Sequence, residues 1–156
     1  CYNSYMILGI DVGGTKTLIG AFDSTGKLER THRSLTSANY DDFLANLASD
    51  IKNFTAGENI SAITIAMPGA IDRQSNKVIA MGHRPWKNID IVTDLKRELA
   101  FDGPLLMEND AKLAGLGEAQ SYKQYKTVVY VTISTGIATA IVIDRKLDPH
   151  FVNSEG

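Results

Sequence analysis

The 156-residue chain has one cysteine, Cys1, at its first position. A disulfide framework or a cysteine-built metal site is therefore excluded within it, and a reducing compartment, the cytoplasm, is the simplest setting. An excess of either charge is missing too. There are 16 Lys and Arg against 18 Asp and Glu, a formal net charge of −2. That balance gives no electrostatic reason to expect nucleic acid or an anionic membrane as a partner. No uninterrupted apolar run has the roughly 20 residues of a membrane-spanning helix. The longest apolar stretch, TVVYVTISTGIATAIVI (127–143), is broken by Ser134, Thr135 and Gly136 and reads as two strands around a turn. The first residues lack the basic, apolar and small-residue order of a secretory signal. CYNSY (1–5) reads as a remnant of cloning, with Met6 as the natural start. What is present, 44% hydrophobic residues, suffices to bury one real core.

MILGIDV (6–12) and TLIGAFD (17–23) are expected strands, joined by a turn that carries Gly13 and Gly14. LERTHRSL (28–35) is a third, and its weak alternation suits an edge. Phe43, Leu44, Leu47, Ala48, Ile51 and Phe54 then recur at helical spacing, with Asn39 as N-cap and Gly57 at the close. ISAITIAMPG (60–69) is a strand ending in Pro-Gly. HRPWK (83–87) is read as a loop, with Trp86 its packing anchor and His83 on the surface. A helix follows, capped by Asp90, with Gly103 past its end. PLLMEN (104–109) is a short strand and DAKLAGLGEAQ (110–120) a helix. SYKQYK (121–126) is a solvated connector, and the last two strands close the chain. The order β-β-β-α-β-α-β-α-β-β predicts an α/β fold with a mixed sheet: a three-stranded antiparallel meander followed by βαβα units. Residues 7–23 and 128–144 share one pattern at an offset of 121: strand, glycine-bearing turn, strand, Asp. That repetition suggests two similar lobes, the first spanning 6–125 and the second beginning with a hairpin in 126–156.

Four stretches carry chemistry. In DVGGTK (11–16) the glycine spacing fits neither a helix-opening phosphate loop nor a dinucleotide fingerprint, and the element that follows is a strand. What remains is a hairpin turn with backbone N–H groups, a hydroxyl and a cation, which can cradle an anion or serve only as a turn. Asp11 beside it could hold a metal-bound water. In MENDA (107–111), Asn109 and Asp110 stand where a strand meets a helix. A carboxylate there is kept charged by the helix N-terminus and could act as a base, or merely cap the helix. Gly69 in AMPG could let a ligand lie on the backbone or form a tight turn. ISTGIA (133–138) supplies a second glycine-bearing turn with hydroxyls from Ser134 and Thr135. His32 and His150 have no partner at catalytic or metal-ligand spacing.

Together, GIDVGGTKT, AMPG, Glu108-Asn109-Asp110-Ala111 and STGIATAIV resemble the motifs of the ROK family, the repressors, open reading frames and kinases of the actin-like (ribonuclease H-like) ATPase superfamily. The resemblance implies an ATP- and Mg²⁺-dependent kinase that phosphorylates a hexose or an N-acetylated hexose. It implies Asp110 as the base; Gly69, Asn109, Asp110 and Glu155 at the sugar; Gly13, Gly14, Thr15, Lys16, Thr135 and Gly136 at the ATP phosphates; and Asp11 at magnesium through water. Ala138, Thr139 and Ala140 replace a run of glycines in the second phosphate motif, and their Cβ atoms are expected to restrict phosphate approach. His83 stands where the family often carries a sugar-contacting Asn. NSEG (153–156) resembles the start of a Gly-Glu-x-Gly-His segment. The chain is thus expected to be the N-terminal lobe and first hairpin of a homodimeric cytoplasmic kinase, inactive alone, with structural zinc only in a later part. The alternative within the family is the sugar-sensing domain of a transcriptional repressor.

Overall fold

Apolar side chains at every second position of MILGIDV put one face of that strand into a core and leave Gly9 and Asp11 on the other. In the computed structural model, which describes residues 5–81, 84–133 and 137–148, this strand is β1 (Met6–Val12). It pairs antiparallel with β2 (Lys16–Phe22), which pairs antiparallel with β3 (Leu28–Leu35). On its other side β1 runs parallel to β4 (Ile60–Met67), which in turn runs parallel to β8 (Leu105–Asn109). The five-stranded sheet has the order β3-β2-β1-β4-β8, so the expected meander and parallel half are both present and β3 is an edge.

Two helices cover one face. Helix α1 (Tyr40–Thr55) buries Phe43, Leu44, Leu47, Ala48 and Ile51, and α2 (Ile91–Leu99) buries Ile91, Val92 and Leu95. They meet Leu8, Ile10, Val12, Ile19, Ile63, Ile65 and Met67 of the sheet in one core. Asn39 caps α1 by accepting from the Asp42 N–H at 3.1 Å, and Asp90 caps α2 by accepting from Thr93 at 3.0 Å. The left-handed C-cap of α1 is Ala56, one residue before the expected Gly57, which also has a positive φ.

The segment after β4 departs from the sequence reading. A separate antiparallel sheet is formed by β5 (Ala70–Asp72), β6 (Lys77–Met81) and β7 (Arg84–Ile89). The strands are short, their register shifts at two points, and β7 contains Pro85, so no clean two-residue alternation announces them. Trp86 is an anchor, but on a strand. Its indole N–H donates to the Ala38 carbonyl at 2.7 Å, and its ring lies 4.6 Å from that of Phe43 and edge-on to Tyr40.

Helix α3 (Asp110–Ala119) leads to β9 (Thr127–Ile133) and β10 (Ile137–Ile143), which pair antiparallel; β11 (Lys146–Leu147) extends that sheet. The two hairpins are alike in order but not in register. β1 and β2 pair Val12 with Thr17, whereas β9 and β10 pair Ile133 with Ile137 rather than Ala138, the position equivalent to Thr17. The hairpin rests on α3 so closely that a Cβ on Gly115 would lie 2.5 Å from that of Ala140. The Ala140 methyl thus faces the helix, and the expectation that it restricts a phosphate does not hold for this residue. Among the described residues no helix is long and apolar enough to cross a membrane.

Candidate active site

Parallel strands deliver their C-terminal ends to the same edge of a sheet, and loops leaving that edge form a crevice. Asp11 of β1 is level with Ala66 of β4, and Ala66 is level with Glu108 of β8. Asp110 begins α3 two residues later. Asp11 and Asp110, 99 residues apart in sequence, thereby reach one edge. The charge of Asp110 bears on Asp11, which is exposed at this edge and whose pKa is raised, first by partial desolvation and second by that like charge. Neither carboxylate has an ion-pair partner among the described residues.

Asn109, not Asp110, caps α3. Its Oδ1 accepts from the Lys112 N–H at 3.2 Å, and its Nδ2 donates to the Gly69 carbonyl at 3.1 Å. The amide therefore locks the Pro-Gly loop after β4 to the start of α3. Asp110 accepts from the Ala111 N–H through Oδ1 at 2.8 Å. That contact fixes the carboxylate through Oδ1.

The glycines have different reasons. Gly69 has φ +91°, and a Cβ there would lie 2.2 Å from the Ala80 carbonyl oxygen, so the fold itself demands glycine. Gly13 closes the β1–β2 turn by donating to the Lys16 carbonyl at 2.9 Å, and a Cβ would lie 2.8 Å from that same oxygen. Gly14 differs. Its φ is not positive and nothing lies within 4 Å of where a Cβ would stand. The fold therefore does not need a glycine at this position. The N–H groups of Gly14 and Thr15 have no acceptor among the described residues. The Lys16 side chain is exposed beside them. Thr135, Gly136 and Glu155, and with them His83, lie outside the described residues.

Three charged residues join the site without having been singled out in the sequence. Arg73, from the turn after β5, forms an ion pair with Glu108 and donates through Nε to Oε2 at 3.0 Å. Lys112, buried in the first turn of α3, donates through Nζ to the Thr139 carbonyl at 2.7 Å and so ties the helix to β10. Its pKa is lowered, mainly by desolvation and further by the charge of Arg73, with Glu108 opposing. Arg84 of β7 donates to the carbonyls of Gly14 and, at 2.8 Å, Thr36. Each contact crosses tens of residues, and no local pattern signals it.

Residues 7–148 match the model of the ROK family. The chain belongs to the ROK family. ROK relatives include the glucokinase of Streptomyces coelicolor, which is 28% identical over 144 residues; these cover 91% of this chain and 45% of the relative. The chain thus spans about half the length of the curated relatives it matches. Among solved structures, the ROK glucokinase of Streptomyces griseus in complex with glucose and AMPPNP superposes with a TM-score of 0.80 at 23% identity, over 92% of this chain and 46% of that one. A ROK transcriptional regulator, a homologue of the E. coli MLC protein, superposes with a TM-score of 0.82 at 20% identity, over 92% and 38%. Both likenesses establish the shared actin-like fold, which carries kinases and regulators alike.

Proposed function

We propose that the parent protein is an ATP-dependent hexose kinase and that this chain carries its acceptor base and first phosphate turn. The supporting observation is the meeting of Asp11 and Asp110, two carboxylates with no ion-pair partner among the described residues, at the C-terminal edge of the sheet. Like charges held together raise the energy of the ligand-free site, and a divalent cation relieves it. Among the described residues no cluster of three or more His, Cys, Asp or Glu could cage a metal. That suits Mg²⁺, which keeps most of its waters and takes few protein ligands. Asp11 would hold it through water, and its chemistry there would be to neutralise charge on the phosphates.

Asp110 then takes the proton of a hexose hydroxyl while that oxygen forms its bond to the terminal phosphorus and the bond to the departing ADP oxygen breaks. Such transfers depend more on positioning than on base strength. Asn109 positions Asp110 by starting the helix, and Gly14, Thr15 and Lys16 offer two N–H groups and a cation to the donor phosphates. Gly69 and Asn109 border the sugar side, where a neutral or N-acetylated hexose would sit. The β9–β10 hairpin is read as the opening of a second lobe that carries Thr135 and Gly136 to the phosphates from the other side, and Glu155 is assigned to the sugar. The 156 residues alone are expected to bind ligands but not to turn over, and the parent is expected to be a cytoplasmic homodimer.

The test is ADP release by the parent protein with glucose, mannose and N-acetylated hexoses, for the wild type and Asp110→Asn. Sugar-dependent turnover lost in the variant supports the kinase. Sugar binding without any turnover in the wild type would replace it with the sensor reading, which at present rests on likeness of fold.

A further inference from the structure

Arg84 and Gly14 are 70 residues apart in sequence, yet the guanidinium of Arg84 donates through Nη2 to the Gly14 carbonyl and to that of Thr36. Thr36 in turn donates its N–H to the Thr15 carbonyl at 2.9 Å, and its hydroxyl bonds that of Thr17 at 2.9 Å, with both threonines buried. The carbonyls of Gly14 and Thr15, the two residues at the centre of the turn, are therefore both taken by neighbouring protein. Arg84 is itself held in place. Trp86 stands two residues on, on the same face of β7, and is buried against α1 with its indole on Ala38.

A trans peptide unit points its C=O and its N–H in opposite directions. The Gly14 carbonyl shares a peptide plane with the Thr15 N–H. A donor that fixes that carbonyl on the β7 side turns the Thr15 N–H the other way. A guanidinium stays charged at any physiological pH, and its charge polarises the peptide it holds. We propose that Arg84 is a positioning residue for the phosphoryl donor: it fixes and polarises the Gly14–Thr15 peptide so that the Thr15 N–H meets a phosphate oxygen. This rests on the reading that the 13–16 turn holds phosphate. It adds a cause outside the turn, on the small sheet that borders the sugar loop.

The experiment titrates Mg·ATP into the ¹⁵N-labelled parent protein and follows the Gly14 and Thr15 amides and the Trp86 indole in wild type, Arg84→Gln and Arg84→Lys. In the wild type the Thr15 amide is expected to shift downfield and saturate. In Arg84→Gln its affinity for Mg·ATP falls about tenfold, the scale of a lost charge-assisted hydrogen bond. Arg84→Lys, which keeps charge but not the planar fork, recovers part of it. Glucose affinity stays unchanged in all three. Wild-type nucleotide affinity in Arg84→Gln overturns the proposal while leaving the phosphate turn intact. If the Trp86 indole signal is lost in Arg84→Gln, Arg84→Lys decides in the same way: weaker nucleotide binding supports the proposal and unchanged binding overturns it. No response at Gly14 or Thr15 in the wild type removes the phosphate turn, and the role of Arg84 with it.

Discussion

The carboxylate of Asp110, at the first position of α3, acts on that of Asp11, at the end of β1, and helps hold its pKa above the ordinary carboxylate value. Desolvation is the larger cause and the Asp110 charge the second. Asp110→Asn should therefore lower the Asp11 pKa without fully restoring it, as followed by ¹³C NMR of the Asp11 carboxyl. An Asp11 titration that ignores the substitution would separate the two residues.

The sign of the stability effect follows from linkage. A carboxylate whose folded pKa is raised destabilises the fold once the pH exceeds its unfolded value, because the unfolded chain ionises more readily. Asp110→Asn should then stabilise the chain at neutral pH by up to about 1 kcal/mol, the scale of partly solvated charge contacts. The gain should fade as the pH falls below the carboxylate range, where Asp11 is protonated and the repulsion is gone. Chemical denaturation at pH 7 and pH 3 measures it; a gain that persists at pH 3 would assign it to something other than charge.

Gly13 and Gly14 are adjacent but should answer differently to alanine. Gly13→Ala forces a Cβ to 2.8 Å from the Lys16 carbonyl, so a loss of about 1–3 kcal/mol is expected. Gly14→Ala meets nothing within 4 Å and should change stability by no more than about 0.5 kcal/mol. Mg·ATP binding should nevertheless weaken in Gly14→Ala, because the methyl fills the space proposed for a phosphate. Thermal unfolding and calorimetric binding together separate the two residues, and equal behaviour of both variants would contradict the distinction.

Gly69→Ala combines φ +91° with a Cβ 2.2 Å from the Ala80 carbonyl oxygen. A cost of about 1–3 kcal/mol from backbone strain alone is expected, with the backbone clash added. Because the Gly69 carbonyl accepts from Asn109, the start of α3 should be disturbed as well. Amide exchange at Ala111 and Lys112 should speed up in the variant, and unchanged exchange there would show that the loop and the helix are not coupled through Asn109.

One face of the last hairpin is bare. Val129, Val131, Ile133 and Ile137 are all exposed, with Ile133 77% accessible. The chain should self-associate through this face at high concentration, as apolar sheet surfaces do. Val131→Lys with Ile133→Lys should shift sedimentation toward the monomer without lowering the melting temperature. An unchanged distribution would place any association elsewhere.

The main sheet and its helices were legible because their signals are local. Leu8, Ile10 and Val12 alternate with Gly9 and Asp11, and Asn39 and Asp90 stand where caps belong. The motif residues were legible as motifs, but not the reason for each glycine: Gly13 and Gly69 serve the backbone, whereas Gly14 is free of that duty. The β5–β7 sheet was not legible, because three short strands with shifted registers and a proline carry no period.

By itself the sequence determined the α/β order, the N-caps of α1 and α2, the buried faces of the strands and the membership in a family, since periodicity and motif spacing act over a few residues. Only the tertiary structure decided that Asp11 and Asp110 share one edge, that Asn109 rather than Asp110 caps α3, and that Arg84 holds the Gly14 carbonyl. Those contacts are set by which strands lie parallel and in what register, and that pairing is fixed by packing the whole core, over separations at which one residue leaves no mark on another in the chain.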